Sequence, residues 1–116
     1  MQFAAKLGMI VTAFTTSFNR EAEIKQLGAF KISHSTNLES LALEKGKYDF
    51  VINTLYVEDE NVFKSHQRLT AANGTYVQVG APPTSVNFQI DHAYIILNQI
   101  RVAGSIIGSY RETQVI

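Results

Sequence analysis

The sequence contains no cysteine and no tryptophan, and it has only two prolines. Without cysteine the chain forms no disulfide, holds no cysteine-type zinc site and carries out no thiolate chemistry. Ten basic and ten acidic residues give a formal net charge of zero, so the charge indicates neither a nucleic acid nor a membrane as a partner. No apolar run approaches the ~20 residues that a transmembrane helix needs. The 116 residues are enough for one domain, which we expect to be cytoplasmic.

Motifs that would mark a catalytic or metal site are also missing. The glycine-rich phosphate loop G-x-G-x-x-G occurs nowhere in the chain. His34, His66 and His92 are far apart in sequence, so each is best interpreted as a satisfied or solvent-exposed histidine. The acidic run Glu58–Glu60 is interpreted as the solvated start of a helix. We therefore assign no residue to catalysis and none to a metal.

The stretch Met9–Ala29 is the most informative part of the chain. Met9–Phe14 is a short apolar run rich in β-forming residues, which predicts a strand of a parallel sheet covered on both faces. Arg20–Leu27 contains helix-forming residues, and Gly28 is placed to end the helix. The pattern is that of a strand, a polar turn and a helix.

The turn between this strand and this helix is a candidate ligand site. Its polar residues are Thr15, Thr16, Ser17, Asn19 and Arg20. In open α/β sheets, ligands bind beyond the carboxyl ends of the strands, where helix N-termini present free N–H groups. A nucleotide ribose or phosphate would suit these side chains. The alternative is an ordinary capped turn with a solvated arginine, because Ser, Thr and Asn are common at helix starts.

The rest of the chain alternates strands and helices in the same way. Further strands are predicted at Phe30–Ser33, Tyr48–Leu55, Thr75–Gly80 and Ile100–Ser105, with a weaker edge strand at Ser85–Gln89. Further helices are predicted at Met1–Leu7, Leu38–Leu43, Val62–Ala71 and Ile90–Asn98, with the start of another at Tyr110–Ile116. Asn73-Gly74 is predicted to be a turn between a helix and the next strand. This order predicts an α/β fold with a mainly parallel sheet and helices on both faces.

Small and polar residues also follow three other predicted strands. They are Asn53-Thr54-Leu55 at the end of one strand, Val79-Gly80-Ala81-Pro82 at the end of the next, and Gly104-Ser105 followed by Gly108-Ser109 at the end of the last. Small residues at consecutive strand ends let a flat ligand lie against the edge of a sheet, within reach of backbone groups. Glycine and proline also simply terminate strands, and the sequence leaves both interpretations open.

Five segments carry a resemblance to a known family. They are QFAAKLG at Gln2–Gly8, VTAFTTSFNREAEIKQLGA at Val11–Ala29, YDFVINT at Tyr48–Thr54, NGTYVQVGAPP at Asn73–Pro83 and VAGSIIGSYRETQ at Val102–Gln114. In order and spacing they resemble the cofactor-binding half of zinc-type medium-chain alcohol dehydrogenases, in the cinnamyl alcohol dehydrogenase-like branch. The linking segments match that family only in pattern.

The resemblance implies a Rossmann-like fold and an NADP(H)-dependent enzyme that interconverts alcohols and aldehydes by hydride transfer. By this comparison, Thr15, Thr16 and Arg20 contact the adenosine ribose and its 2′-phosphate. No Asp or Glu ends the predicted strand Met9–Phe14, where an NAD-preferring site has its acid, so we favour NADP over NAD.

The same comparison assigns residues at the other strand ends. Those that line the ribose and the nicotinamide are Thr54, Val79, Gly80 and Ala81. Those near the nicotinamide are Ser105, Ile106 and Ile107.

The family also has parts that this sequence does not show. In the family, a strand and a glycine-rich loop precede the helix to which Met1–Leu7 corresponds. A separate catalytic domain carries the Cys and His ligands of the catalytic zinc. Residues 1–116 are therefore expected to be a truncated dinucleotide-binding domain without the zinc domain. The first strand would be central in the sheet, and its loss would leave its neighbours without that hydrogen-bonding partner.

Two functions stay open on this evidence. In the first, the chain is the cofactor-binding part of an NADP(H)-dependent alcohol dehydrogenase or aldehyde reductase, and it is inactive by itself. In the second, it is a non-catalytic fragment that binds a dinucleotide weakly or self-associates. For self-association, the resemblance implies homodimer contacts near Ser85–Phe88. A methyltransferase on a similar sheet is disfavoured, because its own glycine-rich first loop is lacking too.

Overall fold

Parallel strand pairing defines the fold. The computed structural model describes residues 1–55, 59–80 and 90–105. The first elements in chain order are α1 (Gln2–Lys6), β1 (Thr12–Thr15), α2 (Glu21–Gln26), β2 (Lys31–His34) and α3 (Leu38–Leu43). The remaining elements are β3 (Tyr48–Asn53), α4 (Glu60–Gln67), β4 (Thr70–Gln78), α5 (His92–Asn98) and β5 (Arg101–Gly104). The chain divides into two compact units, Met1–Leu43 and Glu44–Ile116, and each is described by itself.

The described strands form two sheets. β1 pairs with β2, and β3, β4 and β5 lie in that order in the other sheet, with every pairing parallel. Within each sheet a helix connects successive strands, which is the βαβ arrangement that parallel strands require. The predicted α/β, Rossmann-like class is therefore confirmed.

Helix ends follow the predicted pattern of caps. α2 begins directly after Arg20 and ends before Gly28, whose φ of +117° is one that glycine adopts readily. Asn37 caps α3 and Asp59 caps α4, in each case through a side-chain oxygen that accepts backbone N–H groups. These short-range contacts explain why α3 and α4 begin where they do.

The prediction of a turn at Asn73-Gly74 is wrong. Both residues lie inside β4, which begins already at Thr70. The pairing register between β3 and β4 shifts at this place, as it does at a β-bulge. Asn73 has a φ of +66°, and a Cβ on Gly74 would lie 2.8 Å from the carbonyl oxygen of Asp49. These turn-forming residues therefore distort a strand and do not connect two elements.

Two predicted strands are less buried than expected. The run that starts at Met9 becomes a strand only at Thr12, and Met9 and Ile10 are exposed. In β3, Phe50 and Ile52 are more than half exposed. Because these two residues are two positions apart, they lie on the same face of the sheet. The described residues therefore do not bury both faces of β3.

The second unit buries four apolar side chains among its described residues. They are Val62, Leu69, Tyr76 and Ile100. Tyr76 is 1 % exposed, and its ring meets that of Phe63 edge to face with 6.5 Å between the centroids. This geometry is one that aromatic pairs prefer. It packs α4 against the middle of the three-stranded sheet.

Polar contacts fix the start of α5 beside the start of β4. The Tyr94 hydroxyl donates to the carbonyl oxygen of Thr70 at 2.6 Å. Arg68 forms an ion pair with Asp91 at 2.6 Å, and Asp91 also accepts the N–H of Tyr94 as the cap of α5. The hydrogen bond from Arg68 holds the pKa of the Asp91 carboxyl below its usual range.

Two predicted segments, Ser85–Gln89 and Tyr110–Ile116, lie outside the described residues. In the described part of the chain, no helix has the length and apolar character needed to cross a membrane.

Replacing Asn37 with Ala should lower the free energy of unfolding by about 1 kcal/mol, because a helix cap is lost. The Asn37 side chain accepts the N–H groups of Glu39 at 3.0 Å and Ser40 at 3.1 Å. Urea denaturation followed by circular dichroism measures the change. Asn37→Asp is the control, since it keeps an acceptor oxygen and should change stability little. Equal losses in both variants would contradict the capping role.

Candidate functional site

The carboxyl ends of β3, β4 and β5 form one edge of the sheet in the second unit. The strand register sets Asn53, Gln78 and Gly104 side by side, and each strand ends at that residue. The structure therefore brings four of the predicted site residues to this edge. They are Thr54, Val79, Gly80 and Ser105. We call these four residues, together with Leu55, the second-unit rim.

Backbone hydrogen bonds tie the three strand ends together. The carbonyl oxygen of Asn53 accepts the N–H of Val79 at 2.8 Å and that of Gly80 at 3.1 Å. The N–H of Ser105 donates to the carbonyl oxygen of Gln78 at 3.1 Å. The parallel ladder thus continues one step beyond the last strand residues, and the rim has a defined backbone path.

Gly80 lies directly against the backbone that follows β3. A Cβ at this position would overlap the carbonyl oxygen of Leu55 and would lie 2.8 Å from that of Thr54. Neither neighbour is a flexible side chain that can move aside. Only glycine therefore allows the two strand-end segments to approach this closely.

A buried set of side-chain hydrogen bonds adjoins the rim. Asn53 is 7 % exposed, and its Oδ1 accepts the N–H of Leu55 at 2.9 Å. Its Nδ2 lies 3.0 Å from His66 Nδ1 and 3.0 Å from Tyr76 Oη. Because an amide nitrogen only donates, both of those atoms accept, and the proton of the His66 ring is on Nε2. We call Asn53, His66, Tyr76 and Gln78 the Asn53 network.

The Asn53 network ends on the two backbone segments of the rim. The Tyr76 hydroxyl donates to Gln78 Oε1 at 2.5 Å. Gln78 Nε2 donates to the carbonyl oxygen of Gly80 at 2.9 Å and to that of Leu55 at 3.2 Å. Burial raises the pKa of Tyr76 to about 12, although the hydrogen bond from Asn53 lowers it. The phenol therefore keeps its proton, and remains a donor, throughout the neutral range.

The sequence pattern alone does not single out His66, Tyr76 or Gln78 as site residues. The interpretation of His66 as a satisfied histidine is confirmed, since its ring is buried and hydrogen-bonded. One signal for the other two is present in the run TYVQ. Alternate residues of a strand share a face, so Tyr76 and Gln78 lie on the same side of β4.

The turn after β1 contains the other predicted group, in the first unit. Thr15 Oγ1 donates to the carbonyl oxygen of Ser17 at 3.0 Å. The same oxygen accepts the N–H of Ser17 at 3.2 Å. Ser17 Oγ accepts the N–H of Asn19 at 3.3 Å, and Thr16 is exposed. The chain between β1 and α2 is thus held by short-range bonds between side chains and backbone.

Arg20, at the start of α2, is paired with Glu23. Its Nε and Nη2 lie 2.9 Å and 2.8 Å from the two carboxylate oxygens. The hydrogen bonds of this pair raise the pKa of Arg20 and lower that of Glu23. Both side chains are more than half exposed, so solvent screening leaves the pair little effect on stability. Arg20 is therefore both exposed to solvent and paired with a carboxylate.

The histidines and carboxylates of the described residues do not form a metal site. His34 Nδ1 accepts the N–H groups of Thr36 at 3.2 Å and Asn37 at 3.1 Å, so this histidine too is satisfied locally. His92 is the exposed first residue of α5. Within the described ranges there is no group of three or more His, Cys, Asp or Glu that could hold a metal ion.

A surface depression lies away from the rim. It is lined by Lys64, Arg68, Ile90, Asp91 and His92. Arg68 comes just before β4, at the amino end of that strand, whereas the second-unit rim is at the carboxyl end. The depression therefore does not coincide with the predicted site.

Three predicted site residues, Ala81, Ile106 and Ile107, lie outside the described residues. Their assignment to the cofactor stays a prediction.

Comparison with known proteins identifies the family. Residues 1–116, the full chain, match the family model described as zinc-binding dehydrogenase. The chain belongs to the zinc-binding dehydrogenases. The resemblance to zinc-type medium-chain alcohol dehydrogenases of the cinnamyl alcohol dehydrogenase-like branch is thereby confirmed.

Individual relatives of this zinc-binding dehydrogenase chain are longer than it is. Aldehyde reductase YahK of Escherichia coli is 32% identical over 114 residues, which are 98% of this chain and 32% of that protein. Cinnamyl alcohol dehydrogenase SbCAD4 of Sorghum bicolor has a TM-score of 0.77 at 27% identity, covering 98% of this chain and 31% of that one. The CAD of Helicobacter pylori, complexed with NADP(H), has a TM-score of 0.72 at 24% identity, with 98% and 31% covered. The chain thus spans about a third of the length of these relatives.

Replacing Gly80 with Ala should lower the free energy of unfolding by about 1–3 kcal/mol, as overpacking does. The added methyl group would overlap the Leu55 carbonyl oxygen. Gly104→Ala is the matched control on the neighbouring strand, because the nearest atom to its added Cβ would be the Gln78 carbonyl oxygen at 3.9 Å. Urea denaturation of both variants measures the difference. Similar stabilities of the two variants would contradict the close backbone contact.

Proposed function

We propose that this zinc-binding dehydrogenase chain binds NADP(H) for hydride transfer between an alcohol and an aldehyde. The observation that carries the proposal is the second-unit rim, at the carboxyl ends of three adjacent parallel strands. Open α/β sheets bind their ligands at this edge. The NADP(H) found with the Helicobacter pylori CAD supports the choice of cofactor.

The second-unit rim has the character that a ribose and a nicotinamide ring require. Thr54 and Ser105 are exposed and offer hydroxyl groups, and Val79 is exposed beside them as an apolar contact. Gly80 has no side chain that would hold a ligand away from the backbone. These residues would bind and orient the cofactor, together with Ala81, Ile106 and Ile107. When bound, the nicotinamide supplies or accepts the hydride.

The turn after β1 suits a phosphate on the adenosine ribose. Arg20 presents a guanidinium at the start of α2, and the planar donor pair of arginine matches phosphate oxygens. Thr15 and Thr16 add hydroxyl groups in the same turn. The Glu23 carboxylate accepts hydrogen bonds from the Arg20 guanidinium. A 2′-phosphate would therefore bind by replacing this carboxylate as the partner of Arg20. We infer a preference for NADP over NAD, because only NADP carries this phosphate and because no Asp or Glu ends the predicted strand Met9–Phe14.

Zinc does not fit the residues that the structure describes. The sequence has no cysteine, and the described residues have no cluster of three potential ligands. We therefore assign no zinc ligand here, and we propose that residues 1–116 act as a cofactor-binding domain. The metal chemistry of the family then requires ligands from another domain.

Replacing Arg20 with Ala should weaken NADPH binding at least tenfold and leave NADH binding unchanged. A hydrogen bond to a charged group contributes about 1.5–3 kcal/mol, and about 1.4 kcal/mol corresponds to a factor of ten. Calorimetric titration of the full chain with each cofactor measures the effect. Equal losses for the two cofactors would exclude a contact with the 2′-phosphate.

A matched pair of variants tests the role of Glu23. Glu23→Gln removes the carboxylate that competes for Arg20, so it should strengthen NADPH binding. Glu21→Gln is the control, since the Glu21 carboxylate pairs with Lys25 at 3.1 Å on the same helix, whereas the Arg20 guanidinium pairs with Glu23. The gain should be larger for Glu23→Gln than for the control.

The 116-residue chain by itself should bind NADPH without oxidising it. Its described residues include no group of three or more His, Cys, Asp or Glu that could hold an aldehyde-polarising metal ion. The absorbance of NADPH, followed in the presence of cinnamaldehyde and Zn²⁺, measures turnover. Sustained loss of absorbance above the protein-free rate would show that the chain is catalytic alone.

A further inference from the structure

We propose that Gln78 is a positioning residue of the cofactor site, which holds the backbone after β3 and the backbone after β4 at the separation that NADP(H) requires. This role rests on the proposed NADP(H) binding. Gln78 is the last residue of β4 and comes directly before the second-unit rim. It acts on the rim through the two backbone carbonyl groups to which its side chain donates.

Two carbonyl oxygens from different segments converge on one amide nitrogen. Gln78 Nε2 lies 2.9 Å from the Gly80 oxygen and 3.2 Å from the Leu55 oxygen. Both hydrogens of the amide are therefore used. Without this donor, two carbonyl dipoles would point at the same small volume and repel each other. The side chain thus bridges the two segments that meet at Gly80.

The orientation of the Gln78 amide is determined by its partners. Its Oε1 accepts the Tyr76 hydroxyl at 2.5 Å, and the Tyr76 oxygen accepts Asn53 Nδ2 at 3.0 Å. If the Gln78 amide were flipped, its Oε1 would lie against the two carbonyl oxygens. Its Nε2 would then lie against the hydroxyl hydrogen of Tyr76. Asn53 thus donates to Tyr76, and Tyr76 donates to Gln78. Asn53 and Tyr76 therefore act on the rim through Gln78.

Burial at one end gives this bridge its effect. Tyr76 is 1 % exposed and Asn53 is 7 % exposed, so water does not replace a lost partner at that end of the Asn53 network, whereas Gln78 itself is half-buried. A buried polar group without a partner is costly, and the structure rearranges to avoid it. When the Gln78 amide is removed, the carbonyl groups of Leu55 and Gly80 turn towards solvent. The adjoining Thr54 and Val79 then leave the positions that face the cofactor.

The decisive variant is Gln78→Met, which keeps the length of the side chain and removes its donors and its acceptor. We expect about tenfold weaker binding of NADPH to the full chain, which corresponds to the loss of one to two net hydrogen bonds. Adenosine 2′,5′-bisphosphate, which lacks the nicotinamide half, should bind within twofold of wild type. Gln26→Met, at an exposed glutamine of α2, is the matched control and should change neither affinity.

A second variant tests whether Tyr76 acts through Gln78. Tyr76→Phe removes only the hydroxyl and should weaken NADPH binding about threefold, by the loss of part of one hydrogen bond. The double variant should bind NADPH no more weakly than Gln78→Met alone, because the two residues act in series. Urea denaturation of each variant separates the affinity change from any loss of stability. If Gln78→Met does not fold, the affinities of Tyr76→Phe for NADPH and for the bisphosphate provide the same test of the role of Gln78.

Three results would overturn the role of Gln78 while leaving the proposed function in place. They are unchanged NADPH affinity in folded Gln78→Met, equal losses for NADPH and the bisphosphate, and a double variant whose losses simply add. By contrast, a wild-type chain that binds neither NADPH nor the bisphosphate would overturn the proposed function itself. The two failures are therefore distinguishable in one set of titrations.

Discussion

The hydrogen bonds of Asn53 are the interaction on which the second unit depends. Its backbone carbonyl accepts two N–H groups from the end of β4, and its side chain joins Leu55, His66 and Tyr76. One residue thereby connects β3, β4, α4 and the second-unit rim. Because most of these groups are buried, each needs its partner, and the polar network and the packing of the sheet maintain each other.

The two candidate groups are built in different ways. In the first unit, the side-chain hydrogen bonds of Thr15 and Arg20 described above reach no further than three residues along the chain. In the second unit, Gln78 contacts a residue 23 positions away, and Asn53 does the same. Local contacts of the first kind re-form easily when a partner leaves, which suits exchange of one anion for another. Long-range contacts of the second kind depend on the completed sheet, which suits a surface of constant shape.

This difference also explains how much the sequence predicts. The order of strands and helices, the stop at Gly28 and the cap at Asn37 follow from short-range preferences, and the structure has them. The bulge at Asn73 was not predictable in this way. It involves a close approach of Gly74 to the backbone of Asp49, which lies on the neighbouring strand. Nor does any local pattern reveal that Gln78 reaches Leu55, since that contact exists only after β3 and β4 are in register.

The face of β3 that the described residues leave exposed has a consequence for behaviour in solution. Phe50 and Ile52 expose apolar surface there, while the formal charges of the chain cancel at pH 7. Mutual repulsion between molecules is therefore weakest near neutrality, where exposed apolar faces meet most readily. Colloidal stability should improve when the solution is made either more acidic or more alkaline, and dilute, moderately basic buffers are the natural medium for keeping this chain dispersed.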